Sequence, residues 1–314
     1  MHVKIGIIKL SASSLFRPRR FASTRSAGFF RSGRQHAMPS AFWQLKKSTA
    51  VLHLGALSAS ITSLRPDDGL TNVIIGGNHL ARARLLGIAL SRAIETATAD
   101  AVESYVRGAD MIVVYEESSR WPVRVDAVWR AVAPAASAQF LAAVDLIVSV
   151  RTHLLNMRPD LAVESVIPSS DVFRLPNSRS AACEPLAPVD KQPVGKEPTV
   201  ITPETGAGCL LFRFPGVDFS YIEMVHPADF EHDELAGGVS GDAVHCGAAV
   251  PAAHCGAAVP AALRITHRLF RTTLEKGVIL RARVRGVFVN RHDDARSAAD
   301  CYAAFATADP PLGT

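Results

Sequence analysis

The strongest constraint on this chain is a two-residue rhythm of apolar and polar side chains, clearest in WPVRVDAVWR at 121–130. Val123, Val125, Ala127 and Trp129 alternate there with Arg124, Asp126 and Arg130. Successive side chains of an extended chain point to opposite faces, so this rhythm buries one face and wets the other only in a β-strand. In a helix the same residues would be scattered around the axis.

The rhythm recurs. VESYVRG and DMIVVYEE are separated by Gly108, Ala109 and Asp110, the grammar of a hairpin. DLIVSVRTHLL and LAVESVI continue it, GCLLFRF and VDFSYIEMVH flank the turn dipeptide Pro215–Gly216, and RITHRLFRTT precedes GVILRARVRGVFVN. So many runs at hairpin spacing predict a mainly β fold, α+β at the margin: an antiparallel β-sandwich, or two sandwich-like lobes, with a short C-terminal helix over SAADCYAAFATA. A second helix is expected over LARARLLGIALSRAIE from its Leu and Ala content, against the cost of Gly87. AVLHLGALSAS follows two lysines like a secretory h-region, but His53 interrupts it and its alternation is that of a strand. No uninterrupted apolar run reaches about 18 residues, so no transmembrane helix and no membrane partner are expected.

Composition sets the boundaries. Residues 1–47 read as a basic leader outside the fold, 48–176 as a first β-rich lobe, 177–203 as a Pro-rich linker and 204–314 as a second lobe. That second lobe is interrupted by a Gly/Ala-rich insert at 237–262. The first acidic residue is Asp67, and 1–66 hold eleven of the 34 basic residues, leaving 23 basic against 29 acidic in the remainder. The basic pI therefore belongs to the leader, and nucleic acid is not an expected partner of the folded body. The leader has the composition of a transit peptide or a basic arm, and translation from Met38 would remove it.

Five cysteines, an odd number without a C-x-x-C pair, argue against a disulfide scaffold and for a reducing compartment, hence a cytoplasmic location. The one repeat, HCGAAVPAA, stands at 245–253 and again at 254–262. Its His-Cys pairs are adjacent in sequence and offset by nine, which matches no zinc spacing; a duplicated stretch in a tolerant loop explains it, and neither metal nor cofactor is expected. No G-x-G-x-x-G, P-loop or G-x-S-x-G motif is present, and GGNHLARARLLG fits none of them.

Three constellations remain. EMVHPADFEHDE offers Glu223, His226 and Asp229 as acid–base candidates, because carboxylates beside histidines are what proton transfer requires. Glu223 and His226 are three apart, on opposite faces of a regular strand, and a solvated acidic loop is the plainer reading. Arg281, Arg283 and Arg285 line one face of a strand, either as a surface for a carboxylate, phosphate or sulfated sugar or as cross-strand partners of Asp and Glu. Tyr105, Tyr115, Trp121 and Trp129 are stacking surfaces for sugar rings or core residues. The resulting expectation is a non-catalytic ligand-binding or interaction protein with an anionic or carbohydrate ligand. The alternatives are an enzyme acting on carbohydrate or another small polar substrate by His/carboxylate chemistry, and a purely structural or assembly protein.

Overall fold

A computed structural model describes residues 42–89, 101–118, 122–134, 140–169, 171–186, 197–237, 262–270 and 272–308. Every described residue lies within Ser40–Thr314. Residues 1–41 of the basic leader, Trp121, and residues 245–261 of the HCGAAVPAA copies with Cys246 and Cys255 lie outside the described residues, whereas Trp43–Lys46, read as leader, is a strand with Trp43 buried.

The strands in chain order are β1 (Trp43–Lys46), β2 (Thr49–Leu54), β3 (Leu57–Thr62), β4 (Thr71–Ile75), β5 (Asn78–His79), β6 (Arg84–Ala89) and β7 (Ala101–Arg107). Next come β8 (Asp110–Tyr115), β9 (Arg124–Val132), β10 (Phe140–Arg151), β11 (Leu161–Ile167), β12 (Asp171–Arg174) and β13 (Glu184–Pro185). The series ends with β14 (Thr199–Ile201), β15 (Cys209–Arg213), β16 (Phe219–Val225), β17 (His232–Ala236), β18 (Leu263–Leu269) and β19 (Ile279–Asn290), followed by helix α1 (Asp294–Thr307).

Three antiparallel sheets result. The largest has nine strands in the order β13-β12-β15-β16-β19-β10-β9-β8-β7; the others are β1-β2-β3-β4-β5 and β14-β17-β18-β11-β6. One apolar cluster takes residues from all three: Leu52 and Ile61 from the first small sheet, Val163 and Ile265 from the second, and Val125, Ala127 and Trp129 from the alternating strand β9. A second cluster joins the other face of the large sheet, through Leu211, Ile222, Met224 and Val287, to Ala298, Tyr302 and Phe305 of α1. The architecture is the expected antiparallel sandwich with one C-terminal helix. β19 pairs with both β10 and β16, so strands from either side of the Pro-rich stretch share one sheet.

Among its described residues the Pro-rich stretch contributes β13 and β14, each at a sheet edge, where a residue lacking an N–H breaks no ladder. Two expectations are overturned. Arg84–Ala89, inside the segment read as helical, is strand β6, pairing with β11. Tertiary contacts decide this: Leu86 sits at φ 57°, its N–H donating to Ser165 Oγ at 2.9 Å and its carbonyl accepting from Trp129 Nε1 at 3.0 Å. Gly87 lies so close to the 67–68 turn that a Cβ there would stand 2.3 Å from the Asp67 carbonyl oxygen. The acidic run is likewise not a solvated loop throughout: His232–Ala236 is strand β17, and Asp233 is completely buried.

Candidate functional site

The three acid–base candidates from the sequence are split by the large sheet. Glu223 lies mid-β16 on the face turned toward the small sheets, at zero exposure. It accepts from Tyr221 Oη at 2.6 Å and from Ser165 Oγ at 2.8 Å, and meets His267 Nε2 at 2.7 Å. The other ring nitrogen of His267 meets Asp233 Oδ1 at 2.6 Å. Burial alone would lower the His267 pKa; the charge and hydrogen bond of Asp233, joined by Glu223, overcome it and raise the pKa to about 10. His267 is thus a buried cation between two carboxylates. Asp233 Oδ2 is also buried and meets no donor among the described residues. Atoms closed to solvent and a base already protonated make this network a clasp between sheets rather than a reaction centre.

His226 and Asp229 are together, on the opposite side. His226 stands edge-on to Phe305 with ring centroids 5.7 Å apart, and the Asp229 carboxylate accepts the Arg283 backbone N–H at 3.0 Å. Burial, then the Arg283 charge, lowers the His226 pKa; burial raises that of Asp229. Both are engaged by the fold, His226 against Phe305 of α1 and Asp229 on the backbone of β19.

The arginine face is largely used by the fold. Arg285 makes a bidentate pair with Asp145, directly opposite on β10, at 2.5 and 2.8 Å. That pair ends a row of alternating charge across five strands: Arg107, Asp110, Arg130, Asp145, Arg285. Arg283, 6% exposed, donates to the carbonyls of Phe305 and Ala308 at 3.2 Å each, and both guanidiniums stack on the Phe305 ring. Arg281 is exposed and donates to Ser149 Oγ at 3.0 Å. Of the aromatics, Tyr115 and Trp129 are core residues, whereas Tyr105 remains 39% exposed.

A different place combines access with acid–base chemistry. β8 and β10 each run antiparallel to β9, so their C-terminal ends emerge at the same end of the sheet. There a cleft of about 430 Å³ is lined by Glu117, Ser118, Pro122, His153 and Leu154. The Glu117 carboxylate accepts the His153 backbone N–H at 3.0 Å and faces His153 Nδ1. His153 is 69% exposed, and its Nε2 meets no partner among the described residues. Thr152 pins the loop, donating to the Pro122 carbonyl at 2.8 Å and accepting the Leu154 N–H at 3.1 Å.

Arg151, exposed at the last position of β10, stands beside this cleft without an ion pair to any described residue. Arg281 is its diagonal neighbour on the same face, since Arg151 faces Ile279 and Ser149 faces Arg281. Arg124, opposite Arg151 on β9, is already engaged by Glu116 and Asp126. Sequence reading passed over this group because Glu117 and His153 are 36 positions apart. The available signal was topological: both follow the ends of strands that are each one partner removed from β9.

No protein-family model and no curated protein sequence matches the chain. Among solved structures, a TPR-domain containing protein from Parabacteroides distasonis superposes with a TM-score of 0.50 at 10% identity, over 77% of this chain and 47% of that one. A protein assigned as an aldose 1-epimerase from Escherichia coli K12 gives 0.46 at 12% identity, over 76% and 98%. A heparan sulfate lyase HepC mutant from Pedobacter heparinus gives 0.44 at 8%, over 82% and 38%. At these identities the first likeness is one of fold alone, and the other two, below 0.5, transfer nothing to this chain.

Proposed function

We propose that this chain is an enzyme acting by His/carboxylate proton transfer on a small polar substrate that carries an anionic group, an acidic sugar being the class that fits. One observation supports the reading above all: His153 is oriented by Glu117 at the mouth of an open cleft, with Nε2 turned free. A carboxylate on Nδ1 fixes the tautomer that leaves Nε2 as an acceptor and holds the ring in place. Arg151 supplies a guanidinium two residues away, with the fork geometry that suits a carboxylate or sulfate. Arg281 adds positive charge on the same face. The acid–base role considered for Glu223, His226 and Asp229 passes to His153 and Glu117, whose polar atoms a substrate can reach.

A second reading, non-catalytic binding in the same cleft, is favoured by the absence of a described ion partner for Arg151. One experiment separates the two. Anomer interconversion of glucuronate is followed by exchange NMR, with glucose as the neutral control and binding measured by calorimetry in parallel. In this reaction Nε2 accepts the anomeric hydroxyl proton as the C1–O5 bond opens, the ring oxygen takes a proton from water, and closure reverses both transfers. Catalysis by the wild type that falls about 10²–10⁴-fold in His153→Gln supports the enzyme. Binding without rate enhancement supports the second reading, and neither binding nor catalysis of either sugar sinks both.

A further inference from the structure

We propose that the loops beside the cleft form a tip that docks on an anionic lipid surface. The residues concerned are not those assigned to proton transfer. Of the eight large apolar side chains exposed among the described residues, four sit at this end of the sheet: Leu154, Leu155, Val278 and Ile279, with Leu155 at 71% and Ile279 at 56% exposure. Leu154, Leu155 and Val278 belong to two loops held side by side, one following β10 and one preceding β19, and Ile279 opens β19. Met157 and Leu274 exchange backbone hydrogen bonds of 3.0 and 2.6 Å between those loops, and Ile279 faces Arg151 across the strands.

Leu274 and Met157 tie these loops to the core, but Leu154, Leu155, Val278 and Ile279 belong to neither core cluster, so packing does not call for aliphatic side chains at those four positions. Concentrated exposed apolar surface marks a contact, and its rim indicates the kind. Arg158 and Lys276 lie exposed in the same two loops, and Arg151 and Arg281 are exposed on the adjoining strand ends. Against these four cations stand Glu275 and Asp160 in the loops and Glu116 and Glu117 after β8; Asp160 is paired with Arg268 at 3.4 Å, Glu116 with Arg124, and Glu117 is taken up by His153. Aliphatic tips with a cationic surround complement the acyl boundary and the negative headgroups of a bilayer leaflet, the same two terms that hold interfacial amphipathic elements. None of the described helices is long and apolar enough to cross a membrane, so the contact is peripheral as far as helices are concerned. A protein so docked would present the cleft to substrate at the membrane surface.

The test is sedimentation of the full chain with vesicles of phosphatidylcholine alone and with about one quarter phosphatidylserine, a fraction chosen to give the surface potential on which polybasic attraction depends. The inference expects binding to the serine-containing vesicles, weakened several-fold at high salt. The doubly substituted Leu155→Asp, Ile279→Asp chain should lose at least about tenfold, since it removes the buried apolar contact and adds repulsion. The pair Arg158→Glu, Lys276→Glu should also weaken binding, and circular dichroism of every variant should match the wild type. Three results would overturn the proposal: no vesicle binding by the wild type, equal binding to neutral vesicles, or unchanged binding in both double variants. A dimer in light scattering that Leu155→Asp abolishes would assign the tip to a second copy of this chain and overturn it equally.

Discussion

Gly286 and Tyr221 illustrate how single residues set the interior. A Cβ at Gly286 would stand 2.4 Å from Tyr221 Oη, the hydroxyl that donates to Glu223. Gly286 is also the strand partner of Glu223, so the missing side chain is what lets the phenol lie over β19 and reach its acceptor. Gly286 closes a Val-Arg-Gly tripeptide at 284–286; the same tripeptide at 106–108 serves a hairpin instead, with Gly108 at φ 59°. Gly286→Ala is expected to destabilise by about 1–3 kcal/mol through overpacking and a displaced hydrogen bond, whereas chemical denaturation of Gly108→Ala should show only the strain of a turn residue.

His267 makes a separate prediction at this scale. Its folded pKa of about 10 lies above the ordinary 6.5, so its contribution to stability is complete below about pH 6.5 and drains away as pH rises toward 10. Thermal unfolding from pH 6 to pH 10 should therefore fall more steeply for the wild type than for His267→Gln, which cannot titrate there. Parallel pH profiles would show that the histidine is not held as a cation.

Among the elements, α1 depends on side chains reaching it from the sheet. At its start Asp294, 1% exposed, accepts a bidentate pair from Arg213 at 2.9 and 2.6 Å and a hydrogen bond from Ser220 at 2.6 Å. At its end Arg283 donates to the carbonyl of Phe305, which also accepts the Ala308 N–H at 3.3 Å, and to the carbonyl of Ala308 just past the helix. Phe305 lies beneath two guanidiniums and is completely buried. Phe305→Ala is predicted to cost about 3–5 kcal/mol by denaturant titration, from the cavity and lost stacking combined.

The legibility of each element follows from where its information resides. β9 was readable because one face is wet and the other dry, which writes the period into the side chains. The helix expected across Leu80–Glu95 failed at β6 because the local Leu and Ala preference is overridden by Ser165, Trp129 and the 67–68 turn, all distant in sequence. β17 was masked by its own chemistry: Asp233 resembles a surface acid until His267 is brought against it.

Over the whole molecule, polar chemistry is divided between interior and rim. The interior holds Glu223, His267 and Asp233 as a clasp between two sheets, and the large sheet's outer face carries its charges largely as cross-strand pairs. The rim holds Glu117, His153 and Arg151, whose polar groups meet solvent. The fold's broad class was visible in sequence because alternation is local. The cleft was not, because it forms only when β8 and β10 finish at one end of the same sheet. Glu223 was picked out by composition, yet its surroundings make it structural.

The most direct measurement sets the two histidines against each other, recording thermal unfolding and glucuronate anomer exchange for His153→Gln and His267→Gln side by side. Stranding two buried carboxylates costs about 3–5 kcal/mol, so His267→Gln should lower the unfolding midpoint by at least about 6 °C. His153→Gln should leave the midpoint within about 1 °C, because the side chain is exposed, and abolish the rate enhancement. A variant of His153 that turns over glucuronate like the wild type, or a His267 variant as stable as the wild type, would contradict the division between rim and interior.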